Sequence, residues 1–86
     1  MAGQSYAIRL SPHAAGVLAG LPEGAGAAAW DVLDRASAGP WGFAQWDAGD
    51  PEGEDVRIAS AGALSVVYWV NRPLRRISVL DVVWLG

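Results

Sequence analysis

Leu64–Val70 (LSVVYWV) and Arg76–Val83 (RISVLDVV) decide how this sequence folds. Both runs are dense in β-branched and aromatic side chains, which suit a pleated, half-buried surface. Between them, Asn71 to Arg75 include Pro73, which has no N–H to give to a sheet ladder and so marks a turn. The pair predicts a β-hairpin. A third run, Asp55–Ser60 (DVRIAS), joins the first through a short turn around Gly62, and the three together predict an antiparallel meander.

Everything upstream has to cover that sheet. In Ser5–Leu10, Tyr6, Ile8 and Leu10 alternate with Ser5, Ala7 and Arg9, the period of a half-buried strand. Ser11 and Pro12 then start a helix, the hydroxyl accepting from an otherwise orphaned N–H and the proline ring fixing a helical φ. Ala14, Val17, Leu18 and Leu21 form its apolar stripe, and Gly20 and Pro22 end it. A second helix after Gly24 lines one face with Ala25, Ala29, Trp30, Leu33 and Ser37, carries an Asp31–Arg35 surface pair, and stops at Gly39 and Pro40. The order predicts an α+β domain, β-α-α-β-β-β, with a helical hairpin packed on one face of a small, mainly antiparallel four-stranded sheet. Periodicity leaves the place of Ser5–Leu10 in that sheet open.

The 86 residues predict a single domain over 1–86, and 52% hydrophobic against 17% charged residues is the balance of a folded globule. No apolar run approaches the roughly 20 residues of a membrane span, and MAGQSYAIRL has neither basic nor apolar signal regions, which predicts a cytoplasmic protein. With no cysteine and one histidine, a disulfide framework and a thiolate or histidine metal cluster are excluded, and no cofactor is expected. The net charge of -3 opposes nucleic acid at long range, so phosphate contact must come from local arginines.

Gly39–Glu54, rich in glycine and acids, predicts a long loop. Its Trp41, Phe43 and Trp46 either fold back as a lid or contact a ligand. The acids Asp47, Asp50, Glu52, Glu54 and Asp55 lack the alternation and terminal glutamate of a calcium loop.

The strand, SPHAAGVLAGLP as a first helix ending in Leu-Pro, the second helix and VRIASAGALSVVYWV…RRISVLDVVW together resemble the RelE/ParE superfamily of bacterial toxin–antitoxin toxins. The likeness covers nearly the whole chain. Its most specific part is Gly62-x-x-Ser65-Val66-Val67-Tyr68 followed by a Val-Leu-x-Val strand, which is similar to the family's Gly-x-Tyr-Arg-Val-x-Tyr and last strand. The resemblance implies a toxin held by a cognate antitoxin. It also implies metal-free cleavage of mRNA on the ribosome in RelE types, or gyrase poisoning in ParE types. It further implies that the open face of the sheet binds RNA. Ser65 stands where the family usually has an arginine, and Trp84 and Leu85 where it has a basic pair, so a catalytically silent binding module is the rival expectation.

Cleavage through a ribose 2′-OH needs a proton acceptor, a cation on the phosphate and a proton for the leaving oxygen. The sequence offers Arg57, Tyr68 and Asp81 as catalytic candidates, with no assigned base. Alternation predicts that Leu64, Val66, Tyr68 and Val70 face the helices. It places Ser65, Val67 and Trp69 on the open face with Arg57, Ile77, Val79 and Asp81. There Arg57 either pairs with Asp81 or clamps phosphate. Val67, Trp69, Ile77, Val79 and Val83 form an expected partner surface. Arg72, Arg75 and Arg76 at the hairpin turn are either solvated or contact RNA, DNA or an acidic partner. Tyr68 reads more readily as core than as catalyst, and His13 as a solvated helix-start residue.

Overall fold

In the computed structural model residues 5–45 and 55–85 are described. Strand β1 (Ala7–Leu10) leads into helix α1 (Pro12–Gly20) and helix α2 (Glu23–Ala38), then a short 3-10 turn at Pro40–Gly42. The remaining strands are β2 (Ala44–Gln45), β3 (Val56–Ala61), β4 (Leu64–Asn71) and β5 (Arg76–Trp84). They form one sheet in the order β1-β5-β4-β3-β2, antiparallel except for β1, which runs parallel to β5. The expected helical hairpin and four strands are therefore present, and a two-residue edge strand is added.

The local signals act as their chemistry dictates. Ser11 caps α1, its Oγ accepting from the N–H of Ala14 at 3.0 Å, with Pro12 in the first turn. Gly62 takes the left-handed φ of +60° that lets β3 turn straight into β4. At the other hairpin Arg75 adopts φ 48°, and the Asn71 side chain accepts from the N–H of Leu74. One apolar cluster joins Ala14 of α1 and Ala29, Val32, Leu33 and Ala36 of α2 to Leu64, Val66, Tyr68 and Val70 of β4, as alternation along β4 requires. Tyr6, Ile8 and Leu10 close it at the β1 edge. Trp30 departs from the expected helix face: it is exposed, and Val32 takes the buried position instead.

The largest departure lies in β5. Val79 stands opposite Tyr68, yet Asp81 stands opposite Val67, so one extra residue, Leu80, is inserted between neighbouring pairs. Before this bulge Ile77 and Val79 point at the helices and are fully buried; after it Val82 does so, while Val83 is exposed. Ile77 and Val79 therefore belong to the core, not to the open partner surface expected of them. Arg57 also changes face, because its cross-strand partner is Tyr68. The open face keeps Val56, Ile58, Ser60, Ser65, Val67, Trp69, Ser78, Asp81 and Val83, with Arg9 and Arg76 toward the β1 side.

This sorting is measurable. Ile77→Ala should cost about 2–5 kcal/mol in denaturant unfolding, as cavities in packed cores do. Val83→Ala should change stability by less than about 1 kcal/mol. Equal effects would mean that the bulge does not separate the two positions.

Candidate functional site

The 3-10 turn after α2 brings three side chains together at the margin of the helix-covered face. The guanidinium of Arg57 lies 5.1 Å from the centre of the Trp41 ring and that of Arg72 lies 4.5 Å from it. Arg57 is further fixed by an Nη1 hydrogen bond to the Phe43 carbonyl at 3.1 Å. Its Nε is buried with no hydrogen-bond partner among the described residues. Arg72 donates through Nη2 to Asp55 Oδ1 at 2.7 Å, and the Asp55 carbonyl accepts from the N–H of Val70 at 2.8 Å. The result is two cations on one half-exposed indole, with Asp55 beside them, an arrangement that keeps both guanidiniums aligned.

Tyr68 lies under this corner with no exposed surface, and its hydroxyl donates to the Pro40 carbonyl at 2.7 Å. Burial pushes its phenol up to about 12, against a smaller lowering by the Arg57 charge. A buried, hydrogen-bonded phenol ties the 3-10 turn to the sheet, which favours the core reading of Tyr68 over the catalytic one.

The turn arginines do not act as one cluster. Arg75 sits 4.8 Å from the centre of the Tyr6 ring, at the start of the chain's first strand. Arg76 begins β5 opposite Asn71 and Ala7, on the open face, where Arg9 is two register positions further along β1. Arg9 carried no signal in the sequence because its face depends on β1 pairing with β5, a long-range contact. The Trp41 cluster was equally hidden, since its members come from three separate segments.

Asp81 does not pair with Arg57. Its Oδ1 lies 2.9 Å from His13 Nε2 and also accepts from the N–H of Val82 at 2.8 Å. His13 comes within reach because β1 ends opposite Val79, and Ser11 then continues along the exposed edge of β5, donating its N–H to the Val79 carbonyl and its Oγ to the Leu80 carbonyl. The expected solvated histidine is exposed, and its ring is hydrogen-bonded to Asp81. On the open face Trp69 is 41% exposed and Val83 38%, whereas Val67 is only 8% exposed between its neighbours, so two of the three remaining partner residues are accessible. Trp84 and Leu85 are exposed beyond them.

Phe43 packs on the core and Trp41 caps the arginines, which favours the lid reading for that part of the loop. Trp46, Asp47, Asp50, Glu52 and Glu54 lie outside the described residues. Among the described residues no group of three or more metal-ligating side chains occurs, no enclosed pocket is present, and no helix is long and apolar enough to cross a membrane.

No family model matches the sequence, and no curated protein matches it significantly. Solved structures do match the fold. The isolated RelE toxin of Escherichia coli superposes with a TM-score of 0.81 at 17% identity, over 95% of this chain and 86% of that one. A toxin–antitoxin complex of RelBE type from Mycobacterium tuberculosis gives 0.79 at 20% identity, over 93% and 91%. An archaeal RelE–RelB complex from Pyrococcus horikoshii gives 0.68 at 19%, over 95% and 97%. The chain therefore has the RelE fold along nearly its whole length.

Tyr68 gives this corner a pH signature. The phenol ionises near its ordinary value of 10 in the unfolded chain but near 12 in the folded one. Stability from keeping it neutral is complete below pH 10 and is lost as pH rises toward 12. Denaturation midpoints should fall across that window in the wild type and fall less in Tyr68→Phe; identical slopes would show that the phenol is not held neutral.

Proposed function

We propose that this chain is the toxin half of a toxin–antitoxin pair, as a single domain neutralised by a cognate antitoxin protein. The observation that carries this reading is the RelE fold over 93–95% of the chain, matched to a toxin alone and to toxins bound to their antitoxins. The activity we assign is ribosome-dependent cleavage of mRNA, which stops translation. Arg57 and Arg72, aligned on Trp41, are the arginines best placed to hold a phosphate, with Arg9 and Arg76 lending positive charge to the open face. Arg75, turned toward Tyr6, contributes charge at the margin only. Antitoxin contact falls on Trp69 and Val83, the accessible apolar residues of the open face, with Val67 between them.

A second reading, a module that binds without cutting, is favoured by Ser65 in β4, where an arginine would be expected, and by the burial of Tyr68. The two part cleanly in cells. Inducing the chain alone in a bacterium and mapping mRNA 5′ ends should reveal cuts confined to translated regions and in step with codons. Arrested growth with intact messages would sink the nuclease and leave the binding module.

A further inference from the structure

If the chain cuts RNA, some group must take the 2′-OH proton, and the structure narrows the choice. The sequence has no lysine or cysteine and one histidine, and Tyr68 is buried, bonded to Pro40 and protonated to about 12. Arginines stay charged throughout the neutral range. His13 carries the one described side chain of a type whose ordinary titration lies between pH 5 and 8.

Its placement is built. Two hydrogen bonds from Ser11 fix the start of α1 to the edge of β5, at 3.0 Å to the Val79 carbonyl and 3.3 Å to the Leu80 carbonyl. The bulge at Leu80 sets Asp81 opposite Val67 on the open face, two pairs away in register from half-buried Ser65 and exposed Val83. The N–H of Val82 holds the carboxylate, which receives His13 Nε2 at 2.9 Å. When the neutral ring donates from Nε2 to Asp81, Nδ1 carries the lone pair, on a side chain 67% exposed. A carboxylate that fixes one ring nitrogen and leaves the other free is the arrangement by which imidazoles serve as general bases. Bulges recur beside functional groups because they re-aim a side chain.

We propose that His13 is the general base of RNA cleavage in this chain and that Asp81 is its positioning residue, supplying from α1 what β4 lacks. The proposal rests on the nuclease reading above, with Arg9 and Arg76, which share the open face with Asp81, as the cations for this step, since Arg57 lies on the opposite face. Nδ1 takes the proton of the ribose 2′-OH as that oxygen bonds to phosphorus. The bond from phosphorus to the 5′ oxygen breaks, and the leaving oxygen takes a proton from water. The products are a 2′,3′-cyclic phosphate and a 5′-hydroxyl end, and the imidazolium returns its proton to solvent.

The test is a reporter mRNA on stalled ribosomes, cut by the purified full chain from pH 5 to 9. The wild type should leave 2′,3′-cyclic phosphate ends, with a rate that falls on the acid side as His13 becomes protonated. His13→Gln should lose about 100-fold or more and flatten that limb. Asp81→Asn should lose less, in kcat with KM unchanged, because the ring keeps its basic nitrogen and loses the group that orients it. As a check independent of variant folding, diethyl pyrocarbonate modification of the only histidine should abolish cutting by the wild type, and hydroxylamine should restore it. Arg35→Gln, in the Asp31 pair on α2, should cut normally. Wild-type rates and pH limb in His13→Gln, or activity surviving modification, would overturn the assignment while leaving the nuclease intact. No cutting by the wild type would overturn both.

Discussion

The extra residue in β5 is the constraint on which the rest of the molecule depends. Because Val79 pairs with Tyr68 while Asp81 pairs with Val67, the strand changes the parity of its side chains at Leu80. Ile77 and Val79 can then fill the core on one side of the bulge and Val82 on the other, while Asp81 and Val83 are delivered to the open face. The same irregularity exposes the Leu80 carbonyl to Ser11, which docks α1 on the sheet. Core, helix attachment and open-face chemistry are set by one insertion.

This also explains what could be read in the sequence and what could not. Strand and helix positions were legible because they follow local signals: Pro73 and Gly62 in the turns, Ser11–Pro12 at a helix start, and the 2-residue alternation of Tyr6, Ile8 and Leu10. Faces across β5 were not, since residues 77, 79, 81 and 83 share one parity in an unbroken strand and only the bulge divides them. Arg57 was misplaced for a related reason. The β3–β4 turn holds just Gly62 and Ala63 between the paired Ala61 and Leu64, which puts Arg57 opposite Tyr68 instead of on the open face. A loop one residue longer would have reversed it.

The arginines show how a chain with net charge -3 can still present cations. Arg57 and Arg72 are spread over Trp41, with Asp55 neutralising part of their field at close range. Arg75 lies over Tyr6, and Arg76 and Arg9 lie on adjacent strands. An exposed ion pair such as Arg72–Asp55 adds about 0–1 kcal/mol to folding, so stability gives little reason for its arrangement. Its value lies in orienting charged groups. Tyr68 has the opposite character: its hydrogen bond to Pro40 is buried and anchors the turn that carries Trp41.

The proposed toxin role makes a clear demand on the cell: the chain should be harmful alone and harmless with its partner. Co-expressing it with the product of any small reading frame that adjoins its gene, and following growth together with complex formation by size-exclusion chromatography, tests this most directly. The account predicts growth arrest by the chain alone, and growth restored together with a stable complex when both are made. Normal growth with the chain alone and no complex with its neighbour would contradict it.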